Sequence, residues 1–381
     1  MAKIKILEII PTLDQSGAEK QLTLLAAGLP KDEFEVQVAV LTRDGPLSDI
    51  LRQNKIRYTV IGKSSKISFS AYFKLKKIIQ TFRPDIVHSW IFAANAYGRQ
   101  AAIACRVPKI ICGERCVDPW KKKWHFWIDQ YLARKTDVIA VNSEGIKDFY
   151  IQNRLPEEKF VVIPNAVIPI ASSPLTRSEL LERIGISQTS DSPFLIGLVA
   201  RLWPQKRIRD ALWSFDQLKF AGLKFHAIII GDGPERDNLL RYRDALLLKD
   251  CVHFPGHQKD VSLFMSHFDL FWNTSAYEGQ SNSILEAMSV GVPVLASDIP
   301  GNRELVLPDK TGLLIPEFGG DLSRRRTAFT HETLEILKPE NKSKRLEWGK
   351  NAIFRVQNDF SLEKMILQYI NLYRGLWSTI K

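Results

Sequence analysis

Two carboxylates eight residues apart, Glu278 and Glu286, frame the stretch EGQSNSILEAM. It follows the apolar run DLFWN and leads into a helical pattern closed by Gly291 and Pro293. That pattern starts between Gln280 and Ser283, so Glu278 falls in the loop before the helix and Glu286 within its first turns. The two do not share a helical face and suit different parts of one ligand. A carboxylate accepts hydrogen bonds from paired hydroxyls, as in sugar and ribose rings. The first N–H groups of the helix carry partial positive charge that favours phosphate. A competing reading takes Ser283-Ile284-Leu285-Glu286 as a capping box, in which Glu286 only secures the helix start.

A second set of charged residues follows the run FLIGLVA. In RLWPQKRIRDAL, Arg201 stands at the strand's end and Lys206 at the approach to the next helix. A guanidinium fork and an ammonium point charge could together neutralise a diphosphate as negative charge builds on it; the plainer reading is a solvated basic turn. HAIIIGDGPERDNL turns tightly at Gly231 and Gly233, with Pro234 suited to a first helical position. It is only G-x-G, so a bound dinucleotide has weak support and a structural turn serves as well. Near the start, PTLDQSGAEKQL passes from strand to helix at Gly17, another possible anion site. His88 ends DIVHSW, where it could reach a cleft, although a lone strand-end histidine also has an ordinary structural reading.

These residues need a scaffold, and the chain supplies short β-branched runs in regular alternation with helical patterns. The runs are IKILEII, EVQVAVL, YTVIG, DIVHSW, KIICG, DVIAV and FVVIP, then FLIGLVA, HAIIIG, VHFPG, DLFWN, VPVLAS and TGLLIP. Strand alternating with helix implies parallel sheets covered on both faces. Thirteen strands exceed one ordinary doubly wound sheet, and the Pro- and Ser-rich stretch from Pro164 to Pro193 marks a boundary. The expected class is α/β, with two Rossmann-like domains, 1–168 and 169–360, whose parallel sheets face across a cleft. A C-terminal helix, 361–381, is expected to pack on one of them. Ligands should lie at the carboxyl ends of the strands.

At 381 residues, 45% hydrophobic and 25% charged, the chain can bury two full cores. MAKIKILEII reads as a first strand rather than a signal peptide. Nowhere does an apolar run reach the roughly 18 residues of a membrane span. Cys105, Cys112, Cys116 and Cys251 read as reduced cytosolic thiols, and only Cys112 and Cys116 lie close together, without further ligands at a metal-binding spacing. No metal is expected. The net charge of +11 favours anionic partners: nucleic acid, acidic headgroups or phosphorylated substrates.

Taken together, the residues resemble the family-4 retaining glycosyltransferases of GT-B fold over nearly the whole chain. The E-x7-E of Glu278 and Glu286 inside EGQSNSILEAMSVGVPVLAS is the strongest marker, followed by DIPGNRELV and TGLLIP. SGAE, IPNAV, RLWPQK and IIIGDGPE support it in order and spacing. The resemblance implies an N-terminal acceptor-binding domain and a C-terminal domain that binds a nucleotide-sugar. It implies that Glu286 holds the ribose hydroxyls and Glu278 the donor sugar, with the backbone from Gly279 through Gln280 and Ser281 to Asn282 near the diphosphate. Arg201 and Lys206 match the cations that stabilise the leaving diphosphate, Gly17 the loop near the phosphates, and His88 the residue facing the reacting sugar. The chain departs from the pattern at Ser16-Gly17, often Gly-Gly; at Gln280-Ser281, commonly Phe-Pro; and at Ala166, often Gly. None of these removes a charged catalytic group. The implied chemistry is transfer of a hexose with retention, without cofactor or metal, in cell-surface polysaccharide or glycolipid synthesis. A nucleotide-sugar epimerase and a non-catalytic nucleotide-sugar binder are the rival readings, and a nucleic-acid partner is not expected because no such motif is present.

One segment bears on the acceptor. In PWKKKWHFWIDQYLARK, residues 119–135, Trp120, Trp124, Trp127 and Tyr131 recur at helical spacing beside Lys121, Lys122 and Lys123. This is either a core-facing stripe with solvated lysines or a face for an anionic membrane surface. On the second reading the protein is cytoplasmic and peripheral on the inner face of the membrane, the acceptor is a lipid-linked sugar or growing polysaccharide, and Arg115 is a candidate for its phosphate. A soluble saccharide acceptor remains the alternative.

Overall fold

The computed structural model describes residues 3–65, 67–169, 173–186 and 193–380. Parts of the Pro- and Ser-rich connector, 170–172 and 187–192, lie outside the described residues. The chain divides into two compact units: Met1–Ala166 together with Leu362–Lys381, and Val167–Ser361. The division falls two residues before the boundary expected from the sequence, and the C-terminal helix belongs to the first unit.

Among the described residues the thirteen β-branched runs form thirteen strands. The first unit holds β1 (Ile4–Thr12), β2 (Phe34–Arg43), β3 (Arg57–Val60), β4 (Ile86–Trp90), β5 (Lys109–Glu114), β6 (Val138–Val141) and β7 (Phe160–Val162). They pair in parallel in the order β3-β2-β1-β4-β5-β6-β7. The second unit holds β8 (Phe194–Val199), β9 (Phe225–Ile230), β10 (Val252–Gly256), β11 (Leu270–Asn273), β12 (Val294–Ser297) and β13 (Gly312–Ile315), again all parallel, in the order β10-β9-β8-β11-β12-β13. Both orders wind outward in two directions from one central pair, the doubly wound Rossmann arrangement. The order reverses between β1 and β4 in one unit and between β8 and β11 in the other, which opens a crevice at the carboxyl ends of those strands.

Helices cover both faces, which is why β1 and β4 are buried along nearly their whole length. On one face of the first sheet, Leu22 and Leu25 share a core with Met365, Tyr369, Ile370 and Tyr373 of the C-terminal helix Leu362–Ser378. Residues 365, 369 and 373 are one turn apart, so a single stripe of that helix is buried. Each such side chain contributes roughly 1.5–3 kcal/mol by leaving water, enough to fix the helix on this unit.

Candidate active site

The reversal point of the second sheet is where the charged residues collect. Arg201 and Lys206 follow β8, and Glu278 follows β11, the two central neighbours. Directly after β9, Gly231 has φ +140, and a Cβ there would stand 1.9 Å from the Ala200 carbonyl oxygen. The close approach explains the glycine: the G-x-G turn is a buttress for the loop bearing Arg201. Leu202 N–H donates to the Asp232 carbonyl at 2.9 Å from the other side. Arg201 itself is exposed, its guanidinium 5.7 Å from the Trp203 ring.

A one-turn helix, Pro204–Lys206, then leads into Arg207, which has left-handed backbone geometry at φ 49. A non-glycine residue is held there at a cost of about 1 kcal/mol or more, offset here by the Arg207–Glu317 ion pair at 3.0 Å. The bend delivers Lys206 to Glu278. The ammonium contacts the Glu278 carboxylate directly, both side chains being largely buried, and Ser275 Oγ donates to the same oxygen at 2.8 Å. The two loops are laced together beneath this pair. Thr274 Oγ1 donates to the Lys206 carbonyl at 2.7 Å, Ala276 N–H to the Gln205 carbonyl at 2.8 Å, and Gln205 Nε2 to the Tyr277 carbonyl at 2.7 Å.

The helix after the Glu278 loop is Asn282–Ser289, with Ser281 at its N-cap and no side-chain cap on its first amides. The capping-box alternative is therefore not what the structure holds. Glu286 is the fifth helical residue, beyond the position from which such a side chain reaches back. Glu278 and Glu286 stand on separate elements, loop and helix, as their spacing suggests. Gly279 is buried against Gly301, where a Cβ would come 1.8 Å from the Gly279 carbonyl oxygen. Gln280 Nε2 donates to Glu304 at 3.1 Å, and Asn273 Nδ2 to Ser281 Oγ at 3.3 Å, so the loop is braced from both ends.

Sequence reasoning missed the support below. Arg325, in the helix Leu322–Leu337, is buried, and its Nη2 donates to the Thr274 carbonyl at 2.6 Å and to Ser297 Oγ at 2.8 Å. It also pairs with Asp210 at 3.4 Å and Glu317 at 3.3 Å. Within the run Arg324-Arg325-Arg326 no local signal separates the buried member from solvated ones. Asn302 Nδ2 donates to the Ser297 carbonyl at 2.9 Å and completes the floor. The quoted motif DIPGNRELV contains both Gly301 and Asn302, which was the available hint.

In the first unit, Gly17 opens the helix Gly17–Gly28 at the end of β1; Glu19 in its first turn accepts from Thr12 Oγ1 at 2.9 Å and from Ser16 Oγ. His88 is not where it was expected. Its ring is fully buried, 4.7 Å from that of Trp90, with Nδ1 2.9 Å from the Tyr373 hydroxyl and 3.4 Å from Glu8. The C-terminal helix covers it, a contact that links residues 285 positions apart and leaves no local trace. Arg115 is likewise enclosed. Its Nη2 donates to the Tyr369 hydroxyl at 2.5 Å, and the guanidinium lies 4.1 Å from the Trp90 ring.

Lys121 also departs from expectation: it is buried rather than solvated, with Nζ 3.0 Å from Asp129 and 3.4 Å from each of Glu114 and Asp118. Arg99 pairs with the other oxygen of Asp129 at 2.6 Å. Three carboxylates thus share two cations. Burial, with the like charges of Asp129 and Asp118, pushes the Glu114 carboxyl up to about 7 against the pull of Lys121 and Arg99. Burial alone would lower the Lys121 ammonium, but Glu114, Asp129 and Asp118 hold it above its ordinary value.

A doubly wound pair of units with cations and carboxylates at a strand-order reversal fits the glycosyl-transfer class, and known proteins agree. Two family models match: Glycosyl transferases group 1 over residues 182–353 and Glycosyltransferase Family 4 over residues 15–169. The chain belongs to these family-4 glycosyltransferases of GT-B fold. It is 28% identical over 398 aligned positions to the UDP-Gal:alpha-D-GlcNAc-diphosphoundecaprenol alpha-1,3-galactosyltransferase of Escherichia coli, covering 98% of this chain and 97% of that one. It is 26% identical to the capsular polysaccharide biosynthesis glycosyltransferase CapM of Staphylococcus aureus, over 81% of this chain and 82% of the other. Anabaena Alr3699/HepE in complex with UDP-glucose shares the fold, with a TM-score of 0.85 at 22% identity over 98% of this chain and 100% of that one. The protein is a glycosyltransferase using a nucleotide-sugar donor, and neither the epimerase nor the non-catalytic binder is favoured. Among the described residues no helix is long and apolar enough to cross a membrane.

Proposed function

We propose that this enzyme transfers a hexose from a UDP-sugar to a lipid-diphosphate-linked saccharide with retention of anomeric configuration. The observation that carries the reading is the Lys206–Glu278 pair beside a helix start without a side-chain cap, at the strand-order reversal of the second unit. End-to-end similarity to a galactosyltransferase named for a diphosphoundecaprenol-linked acceptor supports the substrate class. In this scheme Glu286 accepts from the ribose hydroxyls, and the diphosphate lies near the backbone of Gly279–Asn282. Lys206 and Arg201 bind the diphosphate, and the sugar hydroxyls displace part of the hold of Lys206 on Glu278. As the bond from the sugar's anomeric carbon to the phosphate oxygen breaks, its electron pair stays on that departing oxygen, and the acceptor's hydroxyl oxygen forms the new bond to the anomeric carbon. Lys206 and Arg201 stabilise the new charge, and the departing phosphate oxygen accepts the proton of the attacking hydroxyl on the same face. No protein nucleophile and no metal is invoked, since two cations and a helix start supply the positive charge. His88 and Arg115, enclosed by Tyr373 and Tyr369, are given no part in the chemistry. The enzyme acts as a peripheral protein at the inner membrane face, with residues 119–135 towards the lipid.

The test is UDP release from a panel of UDP-hexoses with and without a GlcNAc-diphospholipid, followed by NMR of the product. Acceptor-dependent release and an α-linked product from an α-donor are expected; release independent of acceptor, or a β-linked product, refutes the reading. Turnover is expected to survive a chelator undiminished.

A further inference from the structure

The helix Lys123–Ala133 is amphipathic the wrong way round. Its buried face carries His125 and Asp129 beside Leu132 and Ala133, whereas Trp120 just before it and Trp124, Trp127 and Tyr131 on it are 50, 55, 66 and 54% exposed. A helix that turned this face to water alone would carry its polar residues there. The inversion is possible because Lys121 and Arg99 pair with Asp129 underneath, and His125 Nδ1 accepts from the Lys122 N–H at 2.9 Å. A second apolar edge lies on the same unit: Ile67, Phe69 and Phe73 are 76, 74 and 62% exposed at and before the start of the helix Phe69–Phe82.

One element joins the two edges. The helix Ile91–Ala104 packs against both Phe69–Phe82 and Lys123–Ala133. Near its start the Phe92 ring lies 5.6 Å from that of Trp120, and one turn further on the Tyr97 hydroxyl accepts from Ser68 N–H at 2.7 Å, with Lys63 Nζ 5.2 Å from its ring. The charge is one-sided as well. Across these three helices Asp129 is the single acidic residue, and it is buried, whereas Lys74, Lys77 and Lys123, with Lys122 just before the third helix, are exposed; beside them Asp118 accepts from Trp120 Nε1 at 3.0 Å.

We propose that these three helices form one docking face with two aromatic feet, Ile67–Phe73 and Trp120–Tyr131, that seats the first unit on an anionic bilayer. Interfacial aromatics insert at headgroup depth while lysines meet acidic headgroups. The second foot is new to the picture drawn from residues 119–135, and two attachment points fix the orientation of the unit as well as its location. The inference rests on the lipid-linked acceptor only for its purpose.

Flotation of the full chain with phosphatidylcholine vesicles, with and without phosphatidylglycerol, tests it apart from catalysis. Binding that requires phosphatidylglycerol and weakens with salt is expected. The doubles Phe69→Ser/Phe73→Ser and Trp124→Ser/Trp127→Ser should each lower vesicle affinity about tenfold or more, with unchanged circular dichroism and Tm. The inference is overturned if the chain stays unbound on anionic vesicles, or if the Phe69/Phe73 double binds as well as the parent. It is overturned equally if the Trp124/Trp127 double merely converts a dimer to a monomer by sedimentation. A chain that floats but transfers no sugar sinks the proposed acceptor and leaves the docking face standing.

Discussion

Replacing Lys206 by alanine isolates the electrostatic step. The diphosphate of a nucleotide-sugar gains about one negative charge as its sugar leaves. An ammonium about 4 Å away, at an effective dielectric of about 20, stabilises a full charge by about 4 kcal/mol and a half-developed one by about 2. Turnover should therefore fall by roughly 30-fold to 1000-fold, with a smaller change in the donor's KM if Arg201 and the helix amides hold the ground-state diphosphate as proposed. The fold should survive. The lacing bond from Thr274 runs to the Lys206 main-chain carbonyl, which alanine retains, and Glu278 keeps Ser275. The assay is steady-state UDP release with saturating acceptor, alongside urea unfolding. A folded Lys206→Ala enzyme whose kcat lies within about threefold of the parent would refute the argument. Lys206→Arg sharpens the result: it restores the charge with a different shape, so partial recovery of kcat separates charge from positioning.

Gly301→Ala drives a methyl group to 1.8 Å from the Gly279 carbonyl oxygen, so the loop between Glu278 and Asn282 must move. Overpacking of this kind costs about 1–3 kcal/mol, and donor affinity and kcat should both drop about tenfold or more; unchanged donor affinity would show that this loop does not hold the diphosphate. Glu114 gives a pH signature. Its folded-state pKa, about 7, is above its ordinary 4.5, so the folded chain holds this proton more tightly than the unfolded one. The resulting stabilisation is present below about pH 4.5 and is lost as pH rises to about 7. Glu114→Gln removes that loss, so the stability of the variant relative to the parent should rise by up to a few kcal/mol between pH 5 and 8. Urea unfolding at the two pH values checks it, and a flat or falling difference refutes it.

The strands were legible because most are short apolar runs, β-branched or aromatic, between turn residues, and a parallel sheet covered on both faces demands that pattern. The Lys206–Glu278 pairing was half legible: Lys206 follows β8 and Glu278 follows β11, so the spacing of each from its strand end places it on a loop at the reversal point, while Glu286 stands on the next helix. What escaped depends on long-range packing. His88 looked available at a strand end until Tyr373, 285 residues away, closed over it. Arg325 reached the site through Thr274, 51 residues back, from an arginine run that reads as solvated.

The aromatic stripe at 120–131 shows why periodicity alone cannot finish such a reading. A spacing of three and four residues says that side chains share a face, and it says the same whether that face meets a core or a membrane. The decision lay on the opposite face. There Asp129 would be costly to bury alone and becomes tolerable because Lys121 and Arg99 pair with it, while His125 Nδ1 accepts from the Lys122 N–H at 2.9 Å. Once those partners occupy the inner side, the tryptophans have nowhere to go but outward. The basic residues thus divide by role: Lys121 is structural and holds the inverted helix in place, while Lys122 and Lys123, the next two residues, remain exposed to meet whatever carries negative charge outside.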